Sequence, residues 1–108
     1  MDVEEVIVTA IKHRKSVVFD YNRPGKVGGQ RTGNPHALFK HSSTNKAETH
    51  IFQTDGVSDS GLSTGPSWRL FIVDYIKNPR IIDSSGPFAI APGYNSSSPM
   101  YVKAIEKL

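Results

Sequence analysis

The chain contains no cysteine among its 108 residues. Disulfide bonds and cysteine–zinc sites are therefore excluded, and a reducing compartment such as the cytoplasm is the expected location. No apolar run approaches the ~20 residues that a membrane-spanning helix requires, so we expect no membrane association. Residues 1–5 are rich in acidic side chains, whereas a secretory signal begins with a positively charged region, so we do not expect them to act as one.

Residue patterns that would indicate catalysis are also scarce. There is no cysteine nucleophile, and the serines lie mainly in predicted loops. His36 and His41 are five residues apart without a neighbouring pair of carboxylates. No spacing of histidine and acidic residues is typical of a metal site. We therefore predict a protein that is not an enzyme and that needs no metal or cofactor.

Length and charge permit one small domain with an anionic partner. The formal net charge is +3, a mild basic bias that allows such a partner without requiring it. A chain of this length can bury one modest core. The sequence shows neither an internal repeat nor a second domain, so we predict a single domain over residues 1–108.

The hydrophobic pattern predicts a helix followed by short strands. Apolar residues recur at helical spacing over residues 2–14, and Asp2 and Glu5 are placed to form a capping box. The period then becomes two, which is typical of half-buried strands. Turn residues separate the predicted strands, which lie at 17–22, about 30–40, about 48–54, 68–76 and 80–83.

The remaining segments are rich in glycine, serine and proline. We predict that residues 55–66 are mobile and that residues 84–108 are irregular, apart from a short closing element at 100–108 with helical spacing. One helix and four or five short strands indicate a mainly β protein. The predicted fold is a small, bent antiparallel sheet or barrel over about 16–83 with an N-terminal helix.

Several segments resemble the WYL domain family. The family has a helix and strand similar to residues 10–21, an Arg-x-apolar-x-Pro motif similar to residues 31–35, and a segment near the end similar to residues 92–95. Its Arg-x-Phe-x-x-Asp-x-Ile motif is matched by Arg69, Phe71, Asp74 and Ile76. The chain departs from the family in lacking the Trp-Tyr-Leu tripeptide, with residues 49–53 in that place, and in Gly33 and Tyr75.

The resemblance implies a fold and a function. The family is implied to have an Sm-like, SH3-type barrel with an N-terminal helix. Its members are implied to act as ligand-sensing modules in bacterial transcription regulators, often linked to phage defence. Several are thought to bind nucleic acid or nucleotides through basic strand residues.

Arg31 and Arg69 are the leading candidates for an anion site. Guanidinium is planar, permanently charged and able to fork onto phosphate or carboxylate. On neighbouring strands, the two arginines would form an anion clamp. The alternative is that Arg69 is structural and pairs with Asp74 or a helix carboxylate.

Aromatic and basic residues could complete such a site. Tyr21 and His36, together with His50 and Trp68, could stack against a base, although Trp68 is more easily explained as a core residue. The cations Arg23, Lys26 and Lys40, with Lys46, could form a rim that attracts phosphate, or they could be solvated loop residues.

Two classes of function follow from these patterns. The first is a regulatory binding module for an anionic ligand, either nucleic acid or a nucleotide. The second is a protein–protein adaptor or homodimer in which the arginines are structural. Salt dependence separates them, because phosphate contacts release counterions and weaken as the salt concentration rises.

Overall fold

The structure is a computed structural model that describes residues 2–57, 67–83 and 86–108. In these ranges the chain forms one α-helix and six strands: α1 Val3–His13, β1 Ser16–Tyr21, β2 Gly29–Lys40, β3 Ala47–Gly56, β4 Ser67–Ile72, β5 Ile76–Ile82 and β6 Ala104–Lys107. Two 3-10 helices, Val73–Tyr75 and Pro99–Tyr101, join these elements.

All the strands belong to one antiparallel sheet. Its order is β4-β3-β2-β1-β5, and β6 pairs with the end of β2. Within the described ranges β4 and β5 are the two edges and do not pair with each other, so the sheet stays open. The mainly β fold with an N-terminal helix is therefore confirmed, as a bent sheet and not a closed barrel.

Helix α1 begins and ends as the sequence indicates. The Asp2 carboxylate accepts a hydrogen bond from the Glu5 N–H at 2.9 Å, and Glu5 Oε1 accepts one from the Asp2 N–H at 3.3 Å. Arg14 ends the helix in the left-handed conformation, with φ of 51°. The apolar stripe of the helix is buried in the main core, through Val6, Ile7, Ala10 and Ile11.

The core lies between this helix and one face of the sheet. Alternate residues of the strands contribute to it, because side chains on a strand alternate between faces. The rings of Phe19 and Tyr21 each meet the ring of Phe71 edge to face, with centroids 5.0 and 4.8 Å apart. The same cluster contains Val17, Leu38, Ile51, Val73 and Ile76.

The predicted strand at 68–76 is two elements in the structure. β4 ends at Ile72, a 3-10 helix follows, and β5 starts at Ile76. Asn78 and Pro79 do not end a strand but lie inside β5. An edge strand tolerates a proline because one side of its backbone needs no hydrogen-bond donor. The register between β1 and β5 shifts here, and Asn78 has a φ of 50°.

The predicted closing element is a strand, not a helix. Tyr101 ends a 3-10 helix, and β6 then pairs with β2. The helical spacing was misleading because Ile105 is exposed and takes no part in the core. Of the segment predicted to be mobile, residues 58–66 lie outside the described residues.

Gly33 marks a place where β2 and β3 come very close. A Cβ atom at this position would lie 2.5 Å from Ile51 Cγ2 and 2.8 Å from the Phe52 carbonyl oxygen. We therefore expect Gly33→Ala to lower the free energy of unfolding by about 1–3 kcal/mol, the usual effect of overpacking. Urea denaturation measures this loss. Gly86→Ala is the control, since a Cβ there meets nothing within 4 Å, and equal stability of the two variants would contradict the prediction.

Candidate anion-binding site

A cavity of about 170 Å³ lies where the β1–β2 loop faces β4. We call it the cationic pocket. Its walls are formed by residues of the loop and of β1, β2 and β4: Tyr21, Arg23, Lys26, Arg31, Arg69, Leu70 and Phe71. Four of these lining residues are cations and none is acidic, so the pocket favours an anion.

Arg31 is the most buried cation of the pocket, with 4% of its surface exposed. Its guanidinium carbon lies 5.2 Å from the centroid of the Tyr21 ring and 5.4 Å from that of Phe71, within the range of cation–π attraction. Its Nη2 donates a hydrogen bond to the Val27 carbonyl oxygen at 2.6 Å. The ring contacts and the hydrogen bond together fix the guanidinium against the wall of the pocket.

The strand register explains why an arginine stands at this position. Arg31 is directly opposite Phe19 on β1, so both side chains point to the core face of the sheet. On its other side Arg31 is paired with Gly56 of β3. A Cβ at Gly56 would lie only 2.7 Å from the Arg31 Cα, so a glycine is needed there. Arg31 therefore lies on the core face of the sheet, and it also lines the cationic pocket.

Arg69 approaches the pocket from β4, two residues before the buried Phe71 and on the same face. It is half-buried. The two arginines are not on neighbouring strands, as the clamp hypothesis assumed, because β3 lies between β2 and β4. They are also offset along the sheet, because Arg31 is opposite Gly56 of β3 and Arg69 is opposite Ile51. Both side chains nevertheless line the same cavity.

The alternative pairing of Arg69 with Asp74 does not occur in the described part of the chain. Asp74 is exposed in the 3-10 helix after β4, where water solvates its carboxylate. The ion pair that the described residues do form joins Lys15 and Asp83, at 3.4 Å. Asp74 therefore lies outside a strand, although the sequence predicted one over 68–76.

The β1–β2 loop brings Arg23 and Lys26 to the pocket. The sequence predicted a hairpin turn here, and β1 and β2 are indeed its two strands. The Lys26 N–H donates to the Arg23 carbonyl oxygen at 3.0 Å, and Gly25 between them has a φ of 80°. This turn places Arg23, half-buried, and Lys26, exposed, on one side of the cavity.

Tyr21 is a buried residue in the wall of the pocket. Its ring is buried in the core, and its hydroxyl oxygen accepts a hydrogen bond from the Ile72 N–H at 3.0 Å. That bond ties the end of β1 to the end of β4. Tyr21 is therefore placed to hold Arg31 and β4 in position, and its buried ring does not offer a surface on which a base could stack.

The structure does not bring His36 to the pocket. A register shift between Pro35 and Ala37 falls at this residue, whose side chain is fully buried among the rings of Trp68, Phe88 and Tyr94. Burial lowers the pKa of His36. His50 and Trp68 belong to the same group of rings. None of these side chains lines the cavity.

Lys40 also lies elsewhere, at the opposite end of β2 from Arg31. Its backbone N–H donates to the Lys103 carbonyl oxygen, and the next residue, His41, donates to that of Lys46. Nine residues of extended chain span up to about 30 Å, so Lys40 and Lys46 do not belong to the rim of the pocket. The pocket thus unites five of the seven predicted residues: Tyr21, Arg23, Lys26, Arg31 and Arg69.

Two lining residues were not assigned to a site from the sequence. Phe71 was noted as part of the motif shared with WYL domains, and Leu70 was not singled out. Leu70 is 40% exposed although it follows Arg69 in an apolar strand. The sequence feature that could have indicated Leu70 as a lining residue was its position next to an arginine in an otherwise apolar run.

No family model, curated protein or solved structure matches this chain. The resemblance to WYL domains therefore stays a prediction. Across the described ranges, no three histidine or acidic side chains converge as metal ligands. The single helix of the same ranges is too short to cross a membrane.

Proposed function

We propose that this domain is a regulatory binding module that holds a phosphate group of nucleic acid or of a nucleotide in the cationic pocket. The observation that carries the proposal is the pocket itself, in which four cations and, among the residues that the structure describes, no carboxylate surround one cavity. The resemblance to ligand-sensing WYL domains supports a role in transcription regulation or phage defence.

The chemistry of the lining residues suits phosphate. An arginine can present two parallel N–H donors to two phosphate oxygens, whereas a lysine acts as a point charge. The position of the Arg31 guanidinium is already fixed by Tyr21, Phe71 and the Val27 carbonyl. Less conformational entropy is therefore lost when it binds an anion.

The size of the pocket limits which part of the ligand enters it. Cavities that enclose a drug-sized molecule measure about 300–1,000 Å³, and this one measures about 170 Å³. It suits a phosphate group, while the sugar and base remain outside.

A second candidate function is docking of a protein partner or a second copy of the chain. It is favoured by the edge position of β4, which pairs only with β3 within residues 2–57, 67–83 and 86–108. An edge strand can pair with a further strand through its backbone. In that case the arginines would be structural, and binding would depend little on salt.

Lys26 and Lys40 form a matched pair for testing the proposal. Both are exposed lysines, but only Lys26 lines the pocket. We expect Lys26→Ala to weaken binding of a fluorescent single-stranded oligonucleotide. We also expect it to make the slope of log K against log salt concentration shallower by about 0.7–1, the effect of one lost phosphate contact.

Lys40→Ala should bind with the affinity and salt slope of the parent. Fluorescence anisotropy titrations between 50 and 200 mM salt measure both quantities, and ATP as a competitor shows whether a nucleotide suffices. Equal losses in the two variants would mean that binding reflects overall charge and not the pocket. If the parent binds neither probe at low salt, the docking function is favoured.

A further inference from the structure

The C-terminal segment, residues 86–108, is attached to the sheet by a cluster of aromatic and histidine side chains. We call it the ring cluster. It lies away from the cationic pocket and joins residues of β2, β3 and β4 to residues of the segment. Ring centroids within it are 4.8–6.2 Å apart, and its members are His36, His50, Phe52, Trp68, Phe88, Tyr94 and Tyr101.

Hydrogen bonds from the ring cluster hold the segment at several points. His36 Nε2 accepts from the Ala91 N–H at 3.0 Å, and Trp68 Nε1 donates to the Pro92 carbonyl oxygen at 2.8 Å. His50 Nδ1 and the Tyr101 hydroxyl are 2.8 Å apart. Side chains of the sheet thus form hydrogen bonds with backbone groups of the segment that lie outside β6.

The bonds of His36 fit only the neutral imidazole. Its Nδ1 lies 2.8 Å from the Asn34 carbonyl oxygen, which can only accept, so Nδ1 carries the hydrogen. The Ala91 N–H can only donate, so Nε2 must be without one. A protonated ring would point a hydrogen of Nε2 at the Ala91 N–H, and it would place a charge at a residue with 0% exposure.

We propose that His36 is an acid-sensitive fastener, whose protonation releases residues 88–94 of the C-terminal segment from the sheet while β6 and the core stay in place. The buried residues between α1 and the sheet form a separate cluster, and Leu108, which packs against that cluster, stays held by the pairing of β6 with β2. Release uncovers Trp68 on β4, on which the Tyr94 ring is stacked. The inference is independent of the proposed anion binding.

Burial lowers the pKa of His36 by more than its hydrogen bond with the Asn34 carbonyl raises it, and the titratable groups that face His36 do not oppose this effect. His50 lies across from it on β3, and burial lowers the pKa of His50 as well. Its charge would add to the repulsion, since His50 also lowers the pKa of His36. Tyr94 and Tyr101 of the segment have raised pKa values through burial and stay neutral in acid.

Two charged residues lie near the cluster. Lys107 on β6 donates its ammonium group to the Ser96 carbonyl oxygen. Glu48, two residues before His50 on β3, is buried on the same face as His50. Neither imidazole has a hydrogen bond or ion pair with a carboxylate in the described part of the chain.

The direction of the pH effect follows from linkage. The pKa of His36 in the folded protein is lowered from the ordinary value of 6.5. When the segment is released, the exposed imidazole has its ordinary pKa. The released form therefore binds the proton more tightly, so attachment is complete above pH 6.5 and weakens as the pH falls below it, until the pKa of the attached form is reached.

Amide hydrogen exchange of the full chain between pH 7.5 and 5 tests the proposal. After correction for intrinsic exchange rates, we expect the protection factor of the Ala91 amide to fall up to tenfold per pH unit below 6.5, the limit for one proton. Protection of the β1 amides should persist. Trp68 is the only tryptophan of the chain, so its fluorescence should shift to longer wavelength over the same pH range.

His36→Gln and His41→Gln separate this mechanism from general acid sensitivity. A glutamine amide can accept from Ala91 and donate to Asn34 without titrating, so His36→Gln should remove the pH dependence. His41→Gln should keep it, because His41 Nδ1 accepts hydrogen bonds from the Ser43 and Thr44 N–H groups of its own loop, outside the ring cluster. Loss of the pH dependence in His50→Gln but not in His36→Gln would overturn the assignment.

A measurement on the parent protein covers the case in which the His36 variant does not fold. The ¹⁵N shifts of the imidazole should show hydrogen on Nδ1 and none on Nε2 at pH 7.5. The midpoint of His36 protonation should coincide with the loss of Ala91 protection. A different tautomer, separate midpoints, or simultaneous opening of β1 would each refute the fastener.

Discussion

Replacing Arg69 or Arg31 by alanine is expected to weaken binding of single-stranded nucleic acid or of a nucleotide about ten- to a hundredfold. Each substitution removes one charge-assisted contact to phosphate, worth about 1.5–3 kcal/mol. Lysine should restore only part of the affinity, because it lacks the planar fork of the guanidinium. Titration with a labelled oligonucleotide measures the loss.

The structure predicts that the two substitutions differ in their effect on stability. Arg31 is almost fully buried, covers the Tyr21 and Phe71 rings, and holds the Val27 carbonyl. Its removal should therefore lower both the melting temperature and the affinity. Arg69 is half-buried at the edge strand, so Arg69→Ala should lose affinity with a smaller change in melting temperature.

Thermal melts and binding titrations on the same samples distinguish a binding site from a structural role. If the arginines serve only the fold, affinity will fall only as far as the unfolded fraction rises. Folded Arg69→Ala that binds as the parent does would exclude the clamp. Lys40→Ala again serves as the control, because it removes one positive charge outside the pocket.

Local patterns in the sequence were sufficient to predict the helix and the first three strands and to single out most of the residues that line the pocket. The capping box of Asp2 and Glu5 and the alternation in β1 depend on neighbouring residues, so they can be recognised without the fold. Arg31, Arg69 and the turn residues Arg23 and Lys26 were recognised by their chemistry. Their convergence on one cavity depends on strand order, which spacing alone did not reveal.

The wrong predictions share a physical cause. His36 was predicted to stack against a base beside the arginines, but a register shift falls at this residue and its side chain is buried under the C-terminal segment. Ile105 was assigned a helical position, yet β6 forms because β2 offers it backbone partners. Both outcomes depend on contacts between residues more than 50 positions apart and not on local pattern.

Replacing Phe71 by alanine is expected to cause the largest loss of stability, about 3–5 kcal/mol in the free energy of unfolding. This is the usual effect of emptying a buried aromatic site. Phe71 is 1% exposed, and its ring meets those of Phe19 and Tyr21 edge to face. It also lies under the Arg31 guanidinium, so its loss removes a wall of the pocket as well.

Leu70→Ala is the matched control for this substitution, because Leu70 is the preceding residue on β4 but points to the other face and is largely exposed. Urea denaturation of the two variants should show a loss below about 1 kcal/mol for Leu70→Ala, which leaves no enclosed cavity. Equal losses would mean that the register of β4 on β3 is different from the one in which Phe71 is paired with Thr49. The side chains of β4 would then exchange faces, and Arg69 would point away from Arg31. The stability of Phe71→Ala therefore tests the geometry on which the anion site depends, before any ligand is added.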